Sequence, residues 1–463
     1  MSKRNDSPGG PAFDDSLYER EADEVYAQLL ERIGEQAPQP RLGPTRRAVE
    51  LLGDPQRAYP IIHVTGTNGK TSTSRITESI LRAHGLRTGL LTSPHLKRVT
   101  ERIMIDGEPI SNLAFVENWK DIQPYLLMVD AELAANGDEP MSFFEALTVL
   151  AFACFADAPV DVAVVEVGMG GEWDSTNVGD GTVAVFTPIA LDHTNRLGST
   201  VASIARTKAG IIKPLARVVS AMQAPEALEE LRTAARMSEA TLAIDEVAFA
   251  VASSTVAVGG QVISVRGIAG TYEELFLPLY GDYQADNAAL AIAAVESFIG
   301  GGRHALNPDV LAEGLATATS PGRLQVIGIG PSVLVDAAHN PHGAEALASA
   351  LGSYFTFDRV IAVIGILADK DAAGIVRALD SVVDEFVISQ SSSDRAVDPD
   401  ELARIVVGIA GPDRVSVEPN LATAMDIARD QAASTDAGAV LVTGSISLVA
   451  DVIGLARDSG WKP

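Results

Sequence analysis

The sequence predicts two α/β domains, the first carrying a parallel central sheet and a small antiparallel appendage, the second a separate α/β unit. Three observations carry this reading. From Pro60 onward, short apolar runs alternate with longer helical patterns, the signature of a parallel sheet covered by helices. Between Thr241 and Tyr280 that alternation gives way to short β-rich pieces broken by Gly259, Gly260, Gly267 and Gly270. After the Ser320-Pro321-Gly322-Arg323 break it restarts.

In chain order, IIHVTG reads as a strand, Lys70 to His84 as a helix, and LRTGLLTS as a second strand. A helix from Phe143 to Phe155 packs on the sheet, and VDVAVVEVG, TVAVFTPIA and RVVSA supply three further strands. The antiparallel appendage follows, then a helix from Gln284 to Ile299. VLVDA, RVIAVIG, EFVIS, RVSVE and AVLVTG are the strands of the second unit. Domain boundaries fall at 1–40 for a polar, disordered tail with a helix, 41–317 for the first domain and 318–463 for the second. A chain of 463 residues is too long for one ordinary core, in keeping with two units. No internal repeat is present.

Composition narrows the functional classes. Apolar residues make up 47% and aromatics only 5%, as in a globular protein with small buried side chains. A formal net charge of −26 repels nucleic acid and anionic lipid. Any site for a phosphorylated or acidic ligand must therefore gather cations locally. The lone Cys154, in an apolar run, permits no internal disulfide and reads as a buried thiol in a reducing compartment. The first fifteen residues lack a secretory apolar stretch, and no apolar run approaches the roughly 18–20 residues needed to span a bilayer. A soluble, cytoplasmic protein is expected.

HVTGTNGKTST is the strongest local signal, a buried strand running into a glycine-containing turn and a helix whose first amides can hold phosphate oxygens. Lys70 would bring positive charge to the terminal phosphates, and Thr71 could bind magnesium or phosphate. Thr67, Asn68 and Gly69 complete the nucleotide loop. Val64 stands where the common pattern has its first glycine, and Gly66 comes two residues later. Glu166, ending an apolar strand, offers an oxygen ligand suited to magnesium.

GTNGKT in this shortened form resembles the ATP loop shared by the muramyl peptide ligases and the folylpolyglutamate synthases. LLTSPHLKRVTERIMIDGEPIS is similar to the folylpolyglutamate synthase and dihydrofolate synthase group in particular. The resemblance continues in order through SFFEALT, VDVAVVEVGMGGEWDSTN, ALDHTNRLGSTVASIARTKAGIIK, YQADNAALA, SPGRLQVI and VLVDAAHNPHGAEAL, and RLGPTRRAVELLGDP looks like the group's N-terminal segment. It implies a P-loop ATPase-like first domain and a Rossmann-like glutamate-ligase second domain. The implied activity is ATP-dependent addition of L-glutamate to dihydropteroate and to reduced folates, with ATP and two magnesium ions as cofactors; the sequence leaves monomer and loose dimer open, and a monomer is expected by default.

Residue by residue, the resemblance makes Ser93, Glu166 and His193 magnesium ligands, although a lone strand-end histidine is ordinarily structural. It makes Lys208 a carbamylated lysine that binds the second ion, where the residues alone suggest a surface lysine. Asp192 is either a second-layer group or a helix cap. Asn287 either caps its helix or bonds adenine. Arg323 reaches the phosphates from the linker or is a surface residue. Asp336, at the end of the second unit's first strand, would hold a ribose hydroxyl, while His339 approaches the phosphates and is a catalytic candidate with Lys70 and Lys208. Phe144, Glu145, Trp173 and Asp174 are the pterin candidates, with Phe144 and Trp173 alternatively packing residues. Arg395 is the candidate contact for incoming glutamate. The alternatives are a UDP-muramyl peptide ligase and a non-catalytic nucleotide-binding regulator.

Overall fold

The computed structural model describes residues 14–34 and 39–461. The tail with Gly9, Gly10 and Pro11, expected to be disordered, lies outside the described residues. Helices α1 (Glu19–Leu30) and α2 (Gly43–Leu51) lead into strand β1 (Ile61–Thr65), helix α3 (Lys70–Ala83) and strand β2 (Thr88–Leu91). A hairpin of β3 (Ile103–Ile105) and β4 (Glu108–Pro109) follows, then α4 (Asn112–Asn136), α5 (Phe143–Asp157), β5 (Val162–Glu166) and β6 (Gly181–Phe186). Helices α6 (Thr194–Leu197) and α7 (Val201–Ala209), strand β7 (Arg217–Ser220), helix α8 (Pro225–Met237) and strand β8 (Thr241–Ile244) complete this sheet. Its order is β4-β3-β2-β5-β1-β6-β7-β8, parallel except for the β3–β4 hairpin. Strands β1, β2 and β5 are buried throughout, which explains why they read as continuous apolar runs rather than alternating ones.

Strand β8 corrects one expectation. It pairs in parallel with β7 at the edge of the main sheet, rather than belonging to the antiparallel appendage. The helix α8 just before it provides the crossover that a parallel strand requires. The appendage itself is the three-stranded meander β9 (Ala250–Ala257), β10 (Gly260–Arg266) and β11 (Thr271–Leu277), in order β11-β10-β9. Glu296 on the next helix, α9 (Asp282–Ile299), pins the turn at its far end by accepting from the amides of Ile268, Ala269 and Gly270 and from the Tyr272 hydroxyl.

After α10 (Pro308–Ala316), the second sheet comprises β12 (Gln325–Gly328), β13 (Ser332–Val335), β14 (Arg359–Ile364), β15 (Glu385–Ile388), β16 (Val415–Val417) and β17 (Gly438–Thr443), in order β12-β13-β17-β14-β15-β16. Helices α11 (Pro341–Tyr354), α12 (Ala372–Leu379), α13 (Pro399–Ala410), α14 (Leu421–Ala432) and α15 (Ile446–Asp458) lie between or after these strands. Strand β12, antiparallel to β13, was not foreseen, so Asp336 follows the second strand of this unit rather than the first.

Helix α3 must lie close against its neighbours, because it carries the phosphate-loop residues. The alanine-rich face of α9 lets it approach, and α10 closes over it at Gly314. A methyl group on Gly314 would lie 2.8 Å from the Ile80 Cα, and the Gly314 carbonyl accepts from Ser79 Oγ at 2.7 Å. Gly314→Ala is therefore expected to cost about 1–3 kcal/mol, read as a lower urea-unfolding midpoint; an unchanged midpoint would mean that α10 can withdraw from α3 at no cost.

Candidate active site

The phosphate loop has its shape because two residues lack a Cβ. Gly66 adopts φ 150°, and a methyl group there would sit 1.9 Å from Thr187 Oγ1. Gly69 adopts φ 86°, with Asn287 Oδ1 2.6 Å from its would-be Cβ. Val64 has no such task. It is fully buried in β1, so the first glycine of the common pattern is dispensable at that position. Beyond Gly69, α3 points its N-terminus and partial positive charge at the cleft. Lys70 Nζ donates to the Thr67 carbonyl at 3.1 Å, and burial lowers its pKa against the opposing pull of Glu166 and Asp192.

A cleft of about 410 Å³ opens beside this loop. All the candidate residues except Lys208 and Asp192 line it: Thr67, Asn68, Gly69, Lys70, Thr71, Ser93, Phe144, Glu145, Glu166, Trp173, Asp174, His193, Asn287, Arg323, Asp336, His339 and Arg395. Lys208 lies behind the loop at 4% exposure, which excludes a surface role, and donates to the Gly66 carbonyl at 2.7 Å. Burial and the nearby Lys70 charge bring its pKa down to about 7. A substantial fraction is therefore the neutral amine, the form able to add carbon dioxide.

Glu166 emerges from β5 almost fully buried. Its oxygens accept from Thr71 Oγ1 at 3.0 and 3.1 Å and from the Ser93 amide at 3.3 Å, and burial raises its pKa while Lys70 and Thr71 counteract. A carboxylate between two hydroxyl-bearing residues is a hard oxygen donor set that fits magnesium. Among the described residues no three His, Cys, Asp or Glu side chains gather as a metal site, so an ion bound here would need further ligands such as hydroxyls or phosphate oxygens. His193, in the left-handed region at φ 49°, has its ring 3.8 Å from Asp192, and burial lowers its pKa to about 4.

Asp192 is not a helix cap. It accepts from Lys370 Nζ at 2.8 Å and from Asn340 Nδ2 at 3.5 Å, with His339 Nε2 at 3.6 Å, so residues of the second unit converge on a carboxylate of the first. Burial alone would raise its pKa, but His339, His193 and Lys370 together hold it well below the ordinary carboxylate range. Asn68 and Asn340 exchange hydrogen bonds at 3.0 and 3.2 Å, and Asn68 also meets His342 at 2.9 Å, bringing the phosphate loop itself to this seam.

Asn287 is likewise not a cap. It sits inside α9, accepting from Thr73 Oγ1 and donating to Gln284. Asp336 accepts from the amides of Leu324 and Ala338, which shape the turn holding Arg323; burial raises its pKa and Arg323 offsets this. Phe144 and Trp173 each line the cleft while packing against a core cluster. Glu145 closes the N-terminal capping box of α5 and forms a two-pronged ion pair with Arg41. Arg395 is engaged by Asp369.

Among the cleft residues that the sequence reading missed, two carry charge and partners that matter here. Arg41 belongs to RLGPTRR, recognised as a segment without a role for its arginine, and Lys370 follows β14 in ILADKD. The rule that ligands gather beyond the carboxyl ends of parallel strands could have pointed to Lys370.

A model of the Mur ligase middle domain matches residues 64–295, and one of the Mur ligase glutamate ligase domain matches residues 322–446. Dihydrofolate synthase/folylpolyglutamate synthase of Mycobacterium tuberculosis is 43% identical over 444 residues, spanning 90% of this chain and 91% of that protein. The solved structure of Mycobacterium tuberculosis folylpolyglutamate synthase complexed with ADP superposes with a TM-score of 0.90 at 42% identity, covering 96% of this chain and 99% of that one. Escherichia coli FolC in complex with DHPP and ADP gives 0.81 at 32% identity, covering 94% and 98%. With likeness at this level along nearly the whole of both partners, the chain belongs to the dihydrofolate synthase/folylpolyglutamate synthase family of Mur ligases.

Proposed function

We propose that this enzyme uses ATP to join L-glutamate to dihydropteroate and to the glutamate tails of reduced folates. The observation that carries the reading is the single cleft in which a phosphate loop, a buried carboxylate flanked by hydroxyls, and an aromatic-lined wall face residues of the second unit. The acceptor carboxylate attacks the γ-phosphorus of ATP and ADP leaves, giving an acyl phosphate. The glutamate amine then attacks the acyl carbon, phosphate leaves, and the amine loses its proton as the amide forms. No protein nucleophile is needed.

In this reading Lys70 and the first amides of α3 hold the terminal phosphates, and Arg323 stabilises charge on the transferred group from the linker. Asn287 and Asp336 position adenosine. His339, held beside Asp192, faces the phosphates. Ser93, Glu166, His193 and carbamylated Lys208 would hold two magnesium ions, whose charge would offset that of the phosphoryl oxygens. Phe144, Glu145, Trp173 and Asp174 form the pterin wall, and Arg395 receives glutamate. We assign residues 41–317 to the ATP- and folate-binding domain and 318–463 to the glutamate-ligase domain.

We further place the enzyme in the cytoplasm as a monomer without nucleic-acid partners. Supporting this are the buried Cys154, whose thiol pKa is pushed up by burial, and the net charge of −26. Among the described residues no helix is long and apolar enough to cross a membrane.

Phosphate release with magnesium, ATP and L-glutamate, supplied with dihydropteroate or a reduced folate separately, tests the reading. Turnover with both acceptors, each product heavier by one glutamate residue, is expected. Dihydropteroate alone would restrict the enzyme to dihydrofolate synthesis. Activity with neither would redirect attention to UDP-linked cell-wall precursors, and a lack of any glutamate-dependent turnover would leave a nucleotide-binding regulator.

Lys208 provides an independent test. Because its pKa is about 7, the reactive neutral amine grows as pH rises through 7 and is lost below it. A carbamate carbon is expected by NMR after equilibration with ¹³C-bicarbonate at pH 8, absent in Lys208→Arg, with turnover in that variant reduced on the order of a hundredfold or more. A full carbamate signal in the arginine variant would sink the assignment.

A further inference from the structure

Strand β1 carries an imidazole that the reaction as described does not use. His63 is fully buried between Ile62 and Val64 in the middle of a central strand. A hydrocarbon would occupy such a place at lower cost, since a buried imidazole must be desolvated and satisfied. Its Nε2 lies 2.9 Å from Thr176 Oγ1, and Nδ1 has no partner.

The neighbours fix the direction of the hydrogen bonds. Thr176 Oγ1 donates its only proton to Asp174 Oδ1 at 2.5 Å, so it can accept but not donate towards His63. The imidazole is therefore the tautomer with hydrogen on Nε2 and a bare Nδ1. Burial supports this by pushing the imidazole pKa down to about 3, which keeps a single N–H at neutral pH. The result is a one-way chain in which His63 donates to Thr176 and Thr176 donates to Asp174.

Asp174 is the cleft-lining end of that chain. Oδ1 also accepts the Thr176 amide at 3.0 Å, and Oδ2 accepts the Met169 amide at 2.9 Å. Of the roughly four acceptor positions on a carboxylate, these bonds take three, leaving one on Oδ2 for an N–H donor in the cleft. Thr65, two residues on and so on the same face of β1, donates to the Gly170 carbonyl at 2.8 Å. Two side chains of the strand that feeds the phosphate loop thus stake down the segment from Gly170 to Thr176.

We infer that His63 is a positioning residue for the acceptor site, orienting the Asp174 carboxylate through the Thr176 hydroxyl so that its free lone pair meets an N–H of the pterin ring. The inference rests on the placement of the pterin beside Asp174 proposed above.

Steady-state kinetics of the full-length enzyme test it. His63→Leu, which removes the donor, is expected to raise the KM for dihydropteroate about tenfold, the equivalent of one lost hydrogen bond, while the KM for ATP and kcat at saturating acceptor hold. His63→Gln, whose amide can donate from a similar reach, restores the acceptor KM to within about twofold of the parent. Thr176→Val, which keeps shape and loses the hydroxyl, gives the same rise, and adding His63→Leu to it raises KM no further. The valine variant also serves if the leucine variant does not fold.

An unchanged acceptor KM in Thr176→Val, or equal rises for ATP and acceptor, overturns the inference. Asp174→Asn separates the two layers of the argument. If it leaves the acceptor KM untouched, the pterin placement itself is wrong; if it raises KM while Thr176→Val does not, the placement stands and the role of His63 fails.

Discussion

The whole site depends on how closely a bare backbone can approach its surroundings at Gly66 and Gly69. At the first, the chain lies against Thr187 just beyond β6; at the second, it lies against Asn287 of α9. Any side chain at either point would push the loop out of the cleft and swing α3 away from the helices that cover it. The positions of Lys70, Thr71 and the amides at the head of α3 follow from that approach. So does the depth at which Glu166 and Lys208 lie, because one bonds Thr71 and the other the Gly66 carbonyl.

Electrostatics then shape what the geometry allows. A chain with net charge −26 has little general attraction for a nucleotide. It gathers Lys70, Arg323 and Lys370 around one cleft and balances them with Glu166, Asp192 and Asp336. Glu166 and Asp336 are buried and the other four partly so, which strengthens their interactions with one another relative to charges in bulk water. Lys208 is the extreme case, its ammonium form disfavoured by burial and by Lys70.

The sequence made the phosphate loop, the Glu166 strand end and the alternation of strands and helices in both units legible, because each rests on local rules: glycine where φ is positive, apolar runs for buried parallel strands, a carboxylate where a strand meets the ligand edge. Strand β8 was misplaced because TLAI is too short to reveal whether it pairs with β7 or with the meander that follows; the helix before it decides. Strand β12 escaped because its partner lies across a tight turn and its four residues are only half apolar. Lys370 and Arg41 were out of reach for another reason. What defines them is the partner each meets, Asp192 at 178 residues' separation and Glu145 at 104, and nothing in the flanking residues encodes those distances. The surface reading of Lys208 and the capping readings of Asn287 and Asp192 fell on the same ground, since burial and partners are properties of the assembled fold.

The carboxylate of Asp192 has a further consequence for how such a protein can be rebuilt. It belongs to the first unit, yet its ammonium, imidazole and amide neighbours Lys370, His339 and Asn340 all come from the second. Neither unit is a free-standing module at this seam. A chimera that grafts a foreign C-terminal half onto residues up to the linker inherits an anion whose ammonium partner has to arrive with the graft, or it keeps a half-buried charge with little beyond His193 to meet it. Recombination between relatives is thereby confined to partners that keep this correspondence, and the two halves drift through sequence space as one heritable piece.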